Sequence, residues 1–256
     1  MSLKIDIRRN KILQQLRAEG IVSVSQLSEA LDATTVTIRS DLTALEEEGY
    51  LVRVQGGAVL PSRAPGATQI PNGIHMTCQT EKEAIASAVA ELIRDGSTLF
   101  INSGTTTECI ARALCSKSNL NVVTNSLAVA TCLGDVPSIR VVLLGGEINA
   151  QYGFTYGGDA QEQLSRYQAD WVILSCEGIS QQNGITTRHV EESIIDRLMM
   201  GGAKQVLLAA DHRKLGHVGF AQVCQCKEPF RLVTDKKADE EEIQALSDCG
   251  IRIIQA

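Results

Sequence analysis

A chain of 256 residues is too long for one minimal domain and suits a small domain joined to a medium one. Hydrophobic residues at 44% and charged residues at 21% are ordinary for a globular protein with a real core, and a net charge of −6 argues against a general coat of basic residues. No run of 18 apolar residues appears, and the opening MSLKIDIRRNK lacks the apolar centre of a signal peptide, so a cytoplasmic protein without membrane contact is expected.

Ile5, Ile12, Leu13 and Leu16 fall on one face of a first helix that Gly20 ends. In SVSQLSEAL, Ser23 and Gln26 have the spacing of a capping box, and Val24, Leu27 and Leu31 form an apolar stripe. After a short DAT turn, Thr34 caps a third helix, TVTIRSDLTALEEEG. Its Ile38, Leu42 and Leu45 face inward, with Val36, Thr37, Arg39, Ser40 and Thr43 around the other side. Two short helices joined by so brief a turn predict a helix-turn-helix whose third helix enters a major groove. Beyond Gly49, YLVRVQGGAVL alternates around Gly56-Gly57 as a small β-hairpin, a wing carrying Arg53 and Gln55 near its tip.

A generic helical bundle or partner-docking domain is the competing reading of these helices, and the segment is not basic overall. However, Arg8, Arg9 and Lys11 cluster at one helix start, while Glu46, Glu47 and Glu48 cluster at the far end of the third helix, which leaves one face positive. The DNA-binding residues expected are therefore Arg8, Arg9, Ser23, Thr35, Thr37, Arg39, Ser40, Arg53 and Gln55. Pro61, Pro65 and Pro71 with Gly66 and Gly73 interrupt any period over 58–79, which reads as a linker. The domains expected are 1–57, the linker, and 80–256.

From Thr80, which has capping-box spacing to Glu83, apolar runs alternate with helices. Strands are expected at STLFIN, LNVVTN, IRVVLLGG, DWVILSCEG, KQVLLAAD, RLVTD and IRII. Near-continuous apolar strands separated by helices predict an α/β domain with a mostly parallel sheet, and ligands of such folds collect at the carboxyl ends of the strands. Small or polar turns stand at those ends: Asn102-Ser103-Gly104-Thr105-Thr106, Thr124-Asn125-Ser126, Gly145-Gly146, Glu177-Gly178, and Asp211 with Lys214. Hydroxyls and free N–H groups at a helix start suit phosphate oxygens, and Lys214 supplies a cation. Asn125, Glu177 and Asp211 suit sugar hydroxyls.

The eight cysteines are scattered. Only Cys224-Gln225-Cys226 is a close pair, with His212 and His217 upstream, and it lacks paired zinc-ligand spacing. Packing is the better account, and neither a metal nor a cofactor is expected.

TVTIRSDLTALEEEGYLVRVQGGAVL resembles the signature of the DeoR/GlpR-type bacterial transcription regulators. Thr37, Ile38, Arg39, Asp41, Leu42, Leu45, Glu46, Gly49, Arg53, Gly56, Gly57 and Ala58 match it, whereas Ser40 and Gln55 stand where arginine and histidine are usual. The resemblance continues through Asn102 to Thr106, Thr124-Asn125-Ser126, Gly145-Gly146, Gly153 to Gly157, Gly184-Ile185-Thr186 and Asp211 to Gly216. Asn102 departs from a usual aspartate, Arg213 and Leu215 alter the lysine loop, and Asp196 replaces a common lysine.

The resemblance implies a winged helix-turn-helix joined to a sensor domain similar in fold to ribose-5-phosphate isomerase, with phosphorylated sugars as ligands. It points to a repressor of a carbohydrate operon that a sugar phosphate releases from double-stranded operator DNA. Paired half-sites call for a homo-oligomer, a dimer or a tetramer. An isomerase-like enzyme with Glu177 or Asp211 as base is the alternative, but an enzyme has no use for a groove-reading domain.

Overall fold

The computed structural model describes residues 2–47, 50–60, 80–226 and 230–256. Two compact units divide between Gln79 and Thr80. In the first, α1 (Ser2–Glu19), β1 (Ile21–Ser23), α2 (Val24–Ala30) and α3 (Thr35–Glu47) precede β2 (Val52–Val54) and β3 (Gly57–Val59). The caps lie where the sequence puts them: the Ser23 Oγ accepts from the Gln26 N–H at 3.2 Å, and the Thr34 Oγ1 accepts from the Thr37 N–H at 3.2 Å. Ile12, Leu13, Leu16, Val24, Leu27, Ile38, Leu42 and Leu45 form one core, each large side chain contributing about 1.5–3 kcal/mol on burial. Ile5 and Leu31, expected inside, are only half-buried.

The wing has three strands in the order β1-β3-β2, all antiparallel. The hairpin was legible; its third strand, three residues between two helices, was too short to carry a period. A Cβ on Gly57 would stand 2.0 Å from the Val22 carbonyl oxygen, so β1 and β3 approach this closely only without a side chain there. Because β3 runs to Val59, Ala58 and Val59 belong to the wing, where the sequence reading began the linker. The rest of that linker, 61–79, lies outside the described residues.

The second unit is built from α4 (Thr80–Leu92), β4 (Thr98–Ile101), α5 (Thr105–Leu114), β5 (Asn121–Thr124), α6 (Leu127–Gly134), β6 (Arg140–Leu143), β7 (Glu147–Asn149), β8 (Phe154–Tyr156) and α7 (Gly158–Leu164). There follow β9 (Ala169–Leu174), β10 (Gly178–Ser180), β11 (Gly184–Thr187), α8 (Val190–Gly201), β12 (Ala203–Ala209), a short 3₁₀ turn (His212–Lys214), β13 (Ala221–Cys224), β14 (Arg231–Thr234), α9 (Glu240–Asp248) and β15 (Arg252–Gln255). All seven expected strands enter one parallel sheet, ordered β15-β14-β12-β9-β4-β5-β6. Parallel pairing puts every carboxyl end on one edge. A small antiparallel sheet, β10-β11-β13, and the β7-β8 hairpin were not anticipated; their strands are three or four residues long and mixed in polarity.

Asp170 ties the amino ends of three central strands. Its Oδ2 accepts from the Thr98 N–H (3.0 Å) and Oγ1 (2.8 Å), and its Oδ1 accepts from the Lys204 Nζ (2.9 Å). The Lys204 ammonium, then the two Thr98 donors, hold its carboxyl down at about 2, against an ordinary value of 3.8. A depressed folded pKa gives stability that is present above the unfolded value and lost as pH falls through the folded one. Asp170→Asn is therefore expected to flatten the loss of urea stability between pH 5 and about 2; equal slopes for both proteins would contradict the linkage.

Candidate functional site

On the outward side of α3, Thr35, Val36, Arg39, Ser40 and Thr43 are exposed, and Val36 keeps 72% of its surface. A thymine methyl in a major groove is a contact that an apolar side chain in this position can make. Thr37 is half-buried and its hydroxyl lies 2.9 Å from that of Thr34, so it serves the cap. Gln55 is exposed at the hairpin turn. Ser23 is used in capping α2, with its hydroxyl also 2.9 Å from the Gln26 Oε1.

The three remaining arginines have internal work. The Nε atoms of Arg8 and Arg9 both donate to the carboxylate of Asp41, which is 3% exposed, the Arg9 bond at 3.2 Å. Arg53 folds back from the wing onto α3: its Nη1 donates to the Thr43 Oγ1 (3.0 Å) and the Arg39 carbonyl (3.3 Å). Its own N–H donates to the Glu46 carboxylate at 2.6 Å. The geometry thus separates a free outward face on α3 from arginines that brace it.

In the second unit the five turns stand at the carboxyl ends of β4, β5, β6, β9 and β12. The Asn102 Oδ1 accepts from the Ser175 N–H (2.9 Å), and its Nδ2 donates to the Ser175 carbonyl (3.0 Å) and to the Asp196 Oδ1 (3.1 Å). The Ser103 Oγ donates to the Glu192 Oε1 at 3.1 Å. Gly104 caps α5 with φ 151, and a Cβ there would lie 2.1 Å from the Ser175 Oγ. Glycine is required here by both backbone and neighbour. The first N–H groups of α5, from Thr105, Thr106 and Thr107, have no intrahelical acceptor, as at any helix start. Thr105 accepts from the Nζ of Lys82, a lysine only 3% exposed, at 2.7 Å.

Other turns are more structural. Thr124, fully buried, donates to the Ile101 carbonyl at 2.6 Å and accepts from the Ser126 N–H at 3.0 Å. Ser126 caps α6. Gly145 donates to the Gln163 side chain (2.9 Å), and a Cβ on Gly146 would meet the Tyr156 carbonyl at 2.4 Å. Asn125 is different: its Nδ2 donates to the Thr155 carbonyl at 3.2 Å, but its buried Oδ1 has no partner among the described residues, and neither has the Nε2 of His189. His189 stacks with Tyr152 at 4.6 Å. Orphaned buried polar atoms beside a polar sheet edge invite a ligand or ordered water.

Charge at this edge is dense. Glu177 meets Arg188 at 2.8 Å, Lys214 at 3.5 Å and His217 at 3.7 Å. Burial pushes its carboxyl upward, but His217, Lys214 and Arg188 outweigh that and hold it well below the usual range. Burial likewise raises Asp211, and the bidentate Arg213 with the charges of Lys82 and Lys214 overcomes it. Glu192 and Asp196 go the other way: burial lifts both, and for Asp196 the neighbouring Glu192 adds to the rise.

Lys82, Ser175, Arg188, His189 and Glu192 were not among the site residues expected. Two carried a signal. Lys82 shares the helical face of Ile85, Ala86 and Val89, and Glu192 shares that of Ile195 and Met199; a charge on an apolar stripe has to be paired inside. Ser175, Arg188 and His189 sit in loops where no period marks them.

Fold and site together define a DNA-binding protein with a ligand-binding α/β unit. Residues 8–64 match the DeoR-like helix-turn-helix domain and residues 77–236 the DeoR C terminal sensor domain, and the chain belongs to the DeoR family of transcription regulators. It is 33% identical over 243 residues to the HTH-type transcriptional repressor GlcR of Bacillus subtilis, covering 95% of this chain and 93% of that one. It is 34% identical over 247 residues to the glycerol-3-phosphate regulon repressor of Escherichia coli, covering 96% and 97%. Ribose 5-phosphate isomerase A from Neisseria gonorrhoeae aligns over 57% of this chain and 56% of its own with 17% identity and a TM-score of 0.40. Membership of a regulator family favours regulation over the isomerase-like alternative. No helix among the described residues is long and apolar enough to cross a membrane.

Removing Asp41 leaves two arginines facing a buried void, so Asp41→Ala is expected to cost the first unit about 3 kcal/mol; an unchanged urea midpoint by circular dichroism would contradict it. Gly104→Ala is expected to cost the second unit about 1–3 kcal/mol, with Ser175→Gly restoring only part because the backbone strain persists. Fluorescence of Trp171, the one tryptophan, reports this unfolding, and full recovery in the double variant would leave φ without a role.

Proposed function

We propose that this chain is a repressor of a carbohydrate-use operon that binds its operator through α3 and the wing and leaves it when a phosphorylated sugar fills the carboxyl edge of the sheet. The observation that carries the reading is the start of α5. The Lys82 ammonium meets the Thr105 hydroxyl at the amino end of this helix, and Lys214 stands on the next strand end but one, an arrangement suited to a phosphate dianion. The relative named as HTH-type transcriptional repressor GlcR supports a repressor, and the one named as a glycerol-3-phosphate regulon repressor supports a link to phosphorylated metabolites. The phosphate lies against Gly104, Thr105 and Thr106 with Lys214. Asn125, Glu177 and Asp211 face the hydroxyls, while Thr124, Ser126, Gly145 and Gly146 hold the loops in place.

Asn102 acts as a brace between strands, since all its polar atoms are already bonded. On DNA, Arg39, Ser40, Thr35 and Val36 meet the bases, and Arg8, Arg9 and Arg53 set the pose of α3. The protein works in the cytoplasm as a dimer or tetramer, because a two-fold operator needs paired recognition helices. The effector favours an assembly in which those helices no longer match it.

Two substitutions separate the halves of this reading. Arg39→Ala is expected to weaken operator binding by about 1–3 kcal/mol at fixed salt, leaving thermal stabilisation by the effector intact. Lys214→Met is expected to keep operator affinity but raise the effector concentration for release by roughly 10–100-fold. Both are read by fluorescence anisotropy of labelled upstream DNA titrated with a panel of sugar phosphates. Wild-type release by Lys214→Met would remove that residue from the phosphate site, and no release by any member of the panel would overturn the effector class.

A further inference from the structure

Cys115 caps the carboxyl end of α5, and Cys132 lies within α6, the helix packed beside it. Their sulfurs are 3.8 Å apart, the Cys115 Sγ also lies 3.4 Å from the Ala111 carbonyl, and both residues are only half-buried. We propose that this pair is an oxidation site, at which a hydroperoxide converts the two thiols into an intramolecular disulfide joining α5 to α6.

The geometry assigns the roles. Closing to the ~2 Å of a disulfide needs less than about 2 Å of movement, shared between two partly open side chains. Cys115 is the attacking sulfur. Its bond from Cys132, and then the Arg112 guanidinium one turn back, outweigh burial and bring its thiol down to about 7, so a large share is thiolate at neutral pH. Cys132 is held upward by the same bond, by burial and by the Glu108 carboxylate, and it keeps its proton. The Cys115 thiolate attacks the outer oxygen of the hydroperoxide, the O–O bond breaks, and the alkoxide (hydroxide from hydrogen peroxide) leaves and takes a proton. Cys115 is now a sulfenic acid. The Cys132 sulfur attacks the Cys115 sulfur, the S–O bond breaks, and water leaves with the Cys132 proton. Two thiols are oxidised and one hydroperoxide is reduced.

Cys109 is already disulfide-bonded, and among the described free thiols the rival pairing lies among Cys224, Cys226 and Cys249, whose proximity raises the Cys226 thiol after burial, to about 12. A thiol so protonated is a poor first nucleophile. The bond between Cys115 and Cys132 would join two helices whose opposite ends, at Gly104 and Ser126, carry turns of the sheet edge.

The test is peptide mapping of the reduced full-length protein after one equivalent of hydrogen peroxide and alkylation of the remaining thiols. The expected result is a linked pair of peptides holding Cys115 and Cys132, with Cys176, Cys224, Cys226 and Cys249 alkylated; any link re-formed through Cys109 is scored separately. Cys132→Ser should stop at a sulfenic acid on Cys115 that dimedone traps, and Cys115→Ser should leave Cys132 fully alkylated. A link through Cys226, dimedone on another cysteine, or both thiols of the pair still alkylated after the peroxide is consumed would each overturn the proposal. Circular dichroism of each serine variant checks that it is folded, and the wild-type map decides the pairing without either.

Discussion

One carboxamide holds the two central strands together at the point where they stop being a sheet. Asn102, at the end of β4, bonds both the N–H and the carbonyl of Ser175 beyond β9, and its second amide hydrogen reaches Asp196 on α8. Three bonds from one buried side chain fix where two loops and a helix meet. The consequence runs outward. With Ser175 pinned, its hydroxyl fills the space over residue 104, so only glycine fits at the cap from which α5 begins. A charged group at 102 would have to be compensated at the same three contacts. Here a neutral amide, Asn102, faces the Asp196 carboxyl, which burial and Glu192 lift above its ordinary value.

Charges at this edge sort by neighbour. Glu177 and Asp211, set against lysine and arginine side chains, are held low despite burial, whereas Glu192 and Asp196, for which burial outweighs the nearby His189, Arg188 and Arg197, are pushed upward. One edge therefore combines cations with carboxyl oxygens within a few residues. A polyol phosphate presents the complementary set, a dianion at one end and hydroxyls that both give and take hydrogen bonds along the rest.

How much of this was legible follows from period and length. The seven parallel strands could be read because buried strands are continuous apolar runs, and the caps at Ser23 and Thr34 because a hydroxyl before an apolar stripe has few other uses. β1, β7, β8, β10, β11 and β13 could not, since three or four residues of mixed polarity fit any loop. For the site, the sequence shows which turns sit at strand ends but not which hydroxyls the protein itself consumes. Thr124 and Ser126 look free until the Ile101 carbonyl and the Val129 N–H are found against them, and Thr105 proves to be bonded by Lys82. Arg8 and Arg9 show the same limit: a basic cluster reads as a phosphate contact, and Asp41, thirty residues on, is what it meets.

Arg53 bolts the wing to the recognition helix through the Thr43 hydroxyl and the Arg39 carbonyl. Hairpin and helix thus form one reading head. Genetically, this blurs a boundary: on the proposed reading of α3, a change at Arg53 would retilt its outward side chains and score as altered sequence preference, though the arginine itself need touch no base. Operators drifting apart between lineages therefore have a second, indirect dial, set from behind the helix and away from the groove.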